Sequence, residues 1–496
     1  MKVNVTTHMY AFKIVWVCTI LCGFCGVSQG QLLSIRGDFI TLLPQNQPLP
    51  KVLGLFAQQG VEINIDPAID SRVTEDLIEI HIEDALELLL KDYGHVTSWE
   101  LVDGPVGQLP KLSSIDVYRK GYAHAVRRLV VEAGGIRVIQ DPRGFAYSAN
   151  EFLIGVKEGT TLEQFKDLVA AVGGVVTSSI SNRGVYRVKL PSGSDVLGVV
   201  ARLENHPRVA AVEPNYVVES PDPQPQAEVS ALDSKITGSS VGLPKAREGA
   251  SAVAVLDTGL SSQVDMGDLV KGVHDAINPG AEVGDTTGHG TQMALIASGA
   301  IQPTGAVVPG EGSGTPVLAV KAFDDDGVTT NFGLMEAIQY AVKNDARVLS
   351  LSWGTAVSSE FLQDSIVSAQ ERDLLVVAAV GNEATGQPSF PAAYDGVIGV
   401  GALDSSGSLW EHSNYGEFVD LVAPGHAEFP IGHDGPPGNY VGTSISTAYV
   451  AGYLSQLISD NPEASSQQIV DKLYQDVSDA GVAGRDVRYG RGTLSP

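Results

Sequence analysis

Three residues of this chain have the types needed to cleave an amide by acyl transfer. They are Asp257 in "AVLDTGL", His289 in "TTGHGTQMALIASG" and Ser444 in "YVGTSISTAYVAGYLSQL". Peptide hydrolysis by a serine needs a base to take the hydroxyl proton, an acid to hold that base, and donors for the developing oxyanion. Asp257 follows an apolar run, so its carboxylate falls at a strand's carboxyl end, with Thr258-Gly259 turning the chain. His289 stands between Gly288 and Gly290, which leave room for a substrate, and a helical apolar pattern starts after Thr291. Ser444 opens a long helix, where its own N–H and the positive helix end face developing negative charge. Singly, each has a plainer reading: a turn aspartate, a loop histidine, an N-cap serine.

The elements that must hold these residues alternate. Apolar strands at 252–256, 317–323, 348–352, 374–380 and 397–400 are separated by helices of about 12 residues or more. Such alternation predicts an α/β fold, a parallel sheet covered by helices on both faces. Ligand chemistry then belongs at the carboxyl ends of the strands.

The order "AVLDTGL", "GHGT" 32 residues after Asp257, "GNE", and "GTS" 155 residues after His289 resembles the subtilisin-like serine proteases. Intervening segments such as "VLAVKAFDDDG", "ARVLSLSWG", "SFPAAYDGVIGVGALD" and "NYGEFVDLVAPG" extend the likeness over 245–496. The resemblance implies a serine endopeptidase acting on polypeptides. Ser444 would be the nucleophile, His289 the general base and then acid, Asp257 the group that fixes the imidazole, and Asn382 an oxyanion donor. It further implies that substrate lies as a strand between Gly327-Val328-Thr329 and Ser352-Trp353-Gly354. Ala379-Val380-Gly381 would wall the primary specificity pocket, with Ser389 near its floor. Trp353 is bulky for its place and would narrow the neighbouring pocket or pack in the core.

The chain departs from the family pattern at Ile445-Ser446-Thr447-Ala448-Tyr449, where relatives have Met-Ala-Ser-Pro-His, and at Leu295, where they have a small glycine. Stretch 304–314 gives no convincing calcium loop, so no cofactor is required by the pattern, no metal site is assigned, and calcium dependence stays open.

Upstream, 150–219 reads β-α-β-β-α-β, a ferredoxin-like plan. Its first helix opens with Thr160-Thr161-Leu162-Glu163, where Thr160 could cap and Glu163 could reach back. With "RLENHPRVAAVEPNYVVE", this unit resembles the inhibitory propeptide of subtilisin-like enzymes, implying a folding chaperone and intramolecular inhibitor. Residues 31–103 form a small α+β unit, and "VEINIDPAID" followed by "HIEDALELLLKDYG" is similar to the short N-terminal domain of secretins and TonB-linked receptors. That likeness implies an envelope partner. Pro- and Gly-rich punctuation makes 104–149 a linker region and 220–244 a linker carrying the processing site.

Residues 1–30 read as an export signal, with Lys2 and Lys13 before the apolar stretch 14–24 and small residues near Gly30. All three cysteines, Cys18, Cys22 and Cys25, lie within it, so the mature chain has neither disulfides nor a cysteine metal site. The expected location is secreted, periplasmic or extracellular. Net charge is −26, and −28 once the signal is removed, which argues against nucleic acid as a partner. The competing function class is a catalytically silent envelope-binding protein that keeps the peptidase fold only as a surface.

Overall fold

The computed structural model describes residues 33–36, 39–42, 47–58, 61–66, 69, 71–104, 107–120, 127–128, 131–133, 136–180, 184–220, 224–225, 243–307, 314–433 and 436–494. The expected signal at 1–30 lies outside them, as does most of 220–244.

In the first unit, helices Leu49–Gln58 and Ile82–Leu89 pack with short strands around Leu42, Leu53, Phe56, Ile63 and Leu86. The expected boundary at 103 does not hold. Strand Gly94–Gly104 pairs antiparallel with Gly107–Tyr118, which also runs parallel to Glu62–Ile65. Leu112, Ile115 and Val117 belong to the same core. The Gly104-Pro105 punctuation marks a reversal within a hairpin, not a linker. The other end of the supposed linker is strand too, since Val131–Ala133 and Ile136–Gln140 extend the next sheet.

The second unit follows the expected plan: β1 (Ala146–Val156), α1 (Leu162–Ala171), β2 (Val175–Ile180), β3 (Val185–Lys189), α2 (Val196–Glu204) and β4 (Val209–Glu219). Pairing gives the antiparallel order β4-β1-β3-β2. The capping box forms one residue later than expected, with Thr161 accepting from the Gln164 N–H and Gln164 reaching back. Alternation along β1 sends Phe152 and Ile154 to the unit's own helices and Leu153 to the opposite face.

The third unit begins with β6 (Ala252–Asp257), after a two-residue strand β5 (Gln224–Pro225). It continues through β7 (Val270–Asp275), α3 (His289–Ala297), β8 (Val317–Lys321), β9 (Val328–Thr330), α4 (Asn331–Lys343) and β10 (Ala346–Leu351). It then runs through α5 (Glu360–Gln370), β11 (Leu375–Ala379), β12 (Ile398–Leu403), β13 (Leu421–Pro424), β14 (His426–Phe429), β15 (Gly438–Val441), α6 (Thr443–Asp460) and α7 (Ser466–Gln475). Seven strands form one parallel sheet in the order β7-β8-β6-β10-β11-β12-β13. Within β6, Val253 and Val255 face α3 and α6, whereas Ala254 and Leu256 face α4 and α5.

Helix α3 is buried at all nine residues and α6 at most of its length, as suits helices apolar all round. They pack closely because Gly452 has no side chain: a Cβ there would sit 2.5 Å from the Ala297 carbonyl oxygen. The absent proline at Ala448 leaves α6 continuous over 18 residues.

The ferredoxin-like sheet rests on α4 and α5, where Leu153, Ile180, Val185 and Val218 join the core of the third unit. At this contact Glu213 accepts hydrogen bonds from the Ser359 hydroxyl, Asn331 Nδ2 and the Glu360 N–H, at the amino ends of both helices. Asn215 Oδ1 accepts from the Phe332 N–H at 3.2 Å.

Two outcomes are expected. Gly452→Ala forces α3 and α6 apart and costs about 1–3 kcal/mol, read as a fall in Tm. Burial pushes the Glu213 carboxyl from 4.5 up to about 7, although the Ser359, Asn331 and Glu360 donors pull it down. A carboxyl raised by the contact stabilises it fully below 4.5 and loses that stabilisation as pH rises through about 7. The effect is about 3 kcal/mol at most. Hydrogen exchange at 217–220, in chains held full length by Ser444→Ala, should quicken between these pH values. Glu213→Gln should remove most of that pH dependence.

Candidate active site

Asp257 is the last residue of β6, and its own backbone carbonyl accepts from the N–H groups of Ala322 and Phe323 at 2.7 and 3.2 Å. One carboxylate oxygen, Oδ1, accepts from the Thr258 N–H at 2.8 Å. The same oxygen lies 2.6 Å from His289 Nδ1, at the start of α3. Both side chains are buried. A proton on Nδ1 shared with this carboxylate leaves Nε2 as the acceptor nitrogen of the ring.

The glycines beside His289 serve backbone packing rather than substrate space, a correction to the sequence expectation. A Cβ on Gly290 would stand 2.5 Å from the Gly259 carbonyl oxygen, and one on Gly288 would stand 2.1 Å from that of Gly432. Gly288 also has φ 87°, the left-handed region that favours glycine.

Ser444 is the second residue of α6, so its N–H is among those a helix start leaves unpaired within the helix. Its carbonyl accepts from Ser352 Oγ at 3.1 Å. Its hydroxyl is buried and makes no hydrogen bond among the described residues. Asn382 Oδ1 accepts from both the N–H and the hydroxyl of Thr443, at 3.0 and 2.8 Å. That fixes the amide so that Nδ2 is the end left to donate elsewhere.

The expected substrate edges are placed as follows. Val328 and Thr329 pair with Glu219 and Val218 of the ferredoxin-like unit, and the Ser220 N–H donates to the Gly327 carbonyl at 2.7 Å. On the far side, Gln224 and Pro225 pair with Val441 and Tyr440, just before Ser444. Ser352, Trp353 and Gly354 follow β10. Trp353 is fully buried, with Nε1 donating to the Leu256 carbonyl at 3.1 Å and its ring edge-on to Phe323, so it packs in the core. Ser389 approaches both the expected second substrate edge and the expected pocket wall: its Oγ is 2.3 Å from where a Gly354 Cβ would be and 3.8 Å from that of Gly381. Ala379 and Val380 are buried at the end of β11.

Sequence reasoning missed several supports. Asn414 donates from Nδ2 to the Val380 carbonyl at 3.1 Å and from its N–H to that of Gly381 at 3.0 Å. Lys321 Nζ donates to the Thr258 carbonyl at 2.8 Å and is 3.0 Å from Asp325. His433 meets the His289 ring edge-on, with centroids 5.2 Å apart. Asp285 accepts from Thr258, Thr287, Gly288 and Thr291, and "DTTG" before His289 was the signal that could have found it. Among the described residues no group of three or more His, Cys, Asp or Glu could hold a metal, and 308–313 of the expected calcium stretch lie outside them.

This arrangement has counterparts among known proteins. Residues 249–492 match the Subtilase family, and 136–215 match the Fervidolysin N-terminal prodomain. The chain is 30% identical over 354 residues to a thermophilic serine proteinase from Bacillus sp. (strain AK1), covering 70% of this chain and 86% of that one. It is 33% identical over 221 residues to thermitase from Thermoactinomyces vulgaris, covering 44% of this chain and 79% of the relative. The solved structure of fervidolysin from Fervidobacterium pennivorans superposes with a TM-score of 0.55 at 22% identity, covering 70% of this chain and 60% of that structure's length. The chain therefore belongs to the subtilase family of serine endopeptidases.

Proposed function

We propose that the chain is the precursor of an exported endopeptidase in which Asp257, His289 and Ser444 form the catalytic triad. Ser444 Oγ attacks the substrate carbonyl carbon as His289 Nε2 takes its proton. The oxyanion receives hydrogen bonds from the Ser444 N–H and Asn382 Nδ2. Cleavage of the C–N bond returns the proton to the leaving amine and leaves an acyl ester on Ser444. Water, deprotonated by the same imidazole, then releases the acid and restores the serine. The observation that carries this reading is the buried 2.6 Å contact of Asp257 with His289.

Polypeptide binds by strand addition to 327–329 and passes to 352–354, so main chain holds it whatever its sequence. Ser389, rather than an acid, at the pocket floor favours an uncharged or apolar residue before the scissile bond. The ferredoxin-like unit is the intramolecular inhibitor. Support comes from the pairing of its own strand with the first edge and of Gln224–Pro225 with β15, the strand that leads into α6 and Ser444. Self-cleavage falls between 218 and 245, and export follows from the signal at 1–30. Among the described residues no helix is long and apolar enough to cross a membrane. The first unit docks to an envelope partner, a role that rests on resemblance alone.

Ser444→Ala is expected to abolish both the smaller processed band and labelling by a serine-directed fluorophosphonate. Persistence of either sinks the triad, and a wild type that shows neither favours the silent binding protein. Asn382→Ala is expected to mature slowly and to lose about 10²–10³-fold in kcat with little change in KM, the loss known for the equivalent donor of subtilisin, a relative.

A further inference from the structure

One carboxylate ties together the two backbone turns that carry Asp257 and His289. Asp285 Oδ1 accepts from Thr258 Oγ1 at 2.8 Å, from the Gly288 N–H at 2.8 Å and from Thr287 Oγ1 at 3.2 Å. Oδ2 accepts from the Thr291 N–H at 2.8 Å and from its hydroxyl. Two of these donors relay the connection. Thr258 Oγ1 also accepts from the Gly290 N–H at 2.8 Å, and Thr291 Oγ1 from the Ser261 N–H at 2.8 Å. These bonds end on residues within two positions of Asp257 or His289, save Ser261 four positions after Asp257. Five donors on one carboxylate exceed what an ordinary helix cap needs.

We propose that Asp285 is a positioning residue for the reaction: its carboxylate fixes the separation of Asp257 and His289, and its charge favours the imidazolium formed as Ser444 attacks. The proposal rests on the triad reading above. Burial opposes ionisation of Asp285, but the Thr291, Thr258 and Gly288 donors outweigh it and hold the carboxyl below its usual range. An anion at the start of α3 also complements the helix dipole next to the ring. Of the other titratable groups at these turns, Asp257 is bonded to His289, His433 meets the His289 ring edge-on, and Lys321 holds the Thr258 carbonyl from β8. Asp325 pairs with Lys321, and its backbone carbonyl accepts from the Thr286 hydroxyl at 3.0 Å.

The test compares Asp285→Asn and Thr258→Val with wild type in the processed enzyme, using a chromogenic peptide anilide. In both variants kcat should fall about ten-fold or more at nearly constant KM, because displacing a catalytic group by ~1 Å costs of order 10²-fold. In Asp285→Asn the acid limb of the kcat/KM profile should also move to lower pH, since removing the anion disfavours imidazolium. Thr258→Val keeps the anion, so its acid limb should stay in place. The proposal is overturned if folded Asp285→Asn keeps its kcat and acid limb. Should that variant fail to mature, a wild-type kcat in Thr258→Val overturns it equally. Self-processing and fluorophosphonate labelling of Ser444→Ala separate the two levels: either one surviving refutes the triad. Their loss there, with kcat intact in both test variants, refutes only the role of Asp285.

Discussion

A single buried hydrogen bond, His289 Nδ1 to Asp257 Oδ1 at 2.6 Å, sets the terms for the rest of the third unit. Its partners come from different kinds of element, the carboxyl end of a central parallel strand and the amino end of a buried helix. They meet only if the turn after the strand and the turn before the helix approach to backbone contact. Gly259 and Gly290 permit that approach, since any Cβ on Gly290 would overlap the Gly259 carbonyl. Parallel pairing then gathers the neighbouring strand ends, so that Ser352 after β10 reaches the Ser444 carbonyl and Asn382 after β11 reaches Thr443. Packing of α6 against α3, through Gly452, holds the serine on the same side of the sheet as the histidine.

The ferredoxin-like unit engages this scaffold from the opposite face. Its sheet covers α4 and α5, while Glu213 and Asn215 satisfy backbone and side-chain donors at their amino ends. A seven-stranded parallel sheet joins residues far apart in sequence, and such topologies nucleate slowly. A small antiparallel unit with more local pairings presents a surface against which the two helices pack. The same strand, β4, continues to pair with β9, the expected substrate edge. The contacts with the two helices and with β9 are thus made by one element, with Glu213 on the helix side.

Much of this was legible in the sequence because it depends on local pattern. Five of the seven sheet strands of the third unit are legible to within a few residues, as are the elements of the second apart from the early start of β1 at Ala146, and the order of Asp257, His289, Asn382 and Ser444 carries the family. What escaped was set by tertiary approach. Gly104-Pro105 has the composition of a linker, and only the pairing of 94–104 with 107–118 makes it part of a hairpin. The cap moved from Thr160 to Thr161 because either hydroxyl fits the local rule, and the helix start decides between them. The space beside His289 is filled by the carbonyls of Gly259 and Gly432, from segments far away in sequence. Trp353 admitted a pocket or a core role, and the carbonyl of Leu256 within reach of its indole selected the core.

That last contact belongs to a set that holds the end of β6 in place. The end of β6 is held residue by residue. Trp353 from β10 binds the Leu256 carbonyl, and Ala322 and Phe323 after β8 bind that of Asp257. Lys321 binds that of Thr258, and Asp285 takes the Thr258 hydroxyl. Three successive carbonyls of a turn that would otherwise face water are therefore satisfied within the protein, each by a different neighbour. Leaving any of them buried without a partner would cost about 1–3 kcal/mol, so the partners are mutually required once the turn is covered. A carboxylate fixed in this way needs little reorganisation when positive charge develops on a group beside it, which is the condition for electrostatic stabilisation at low cost.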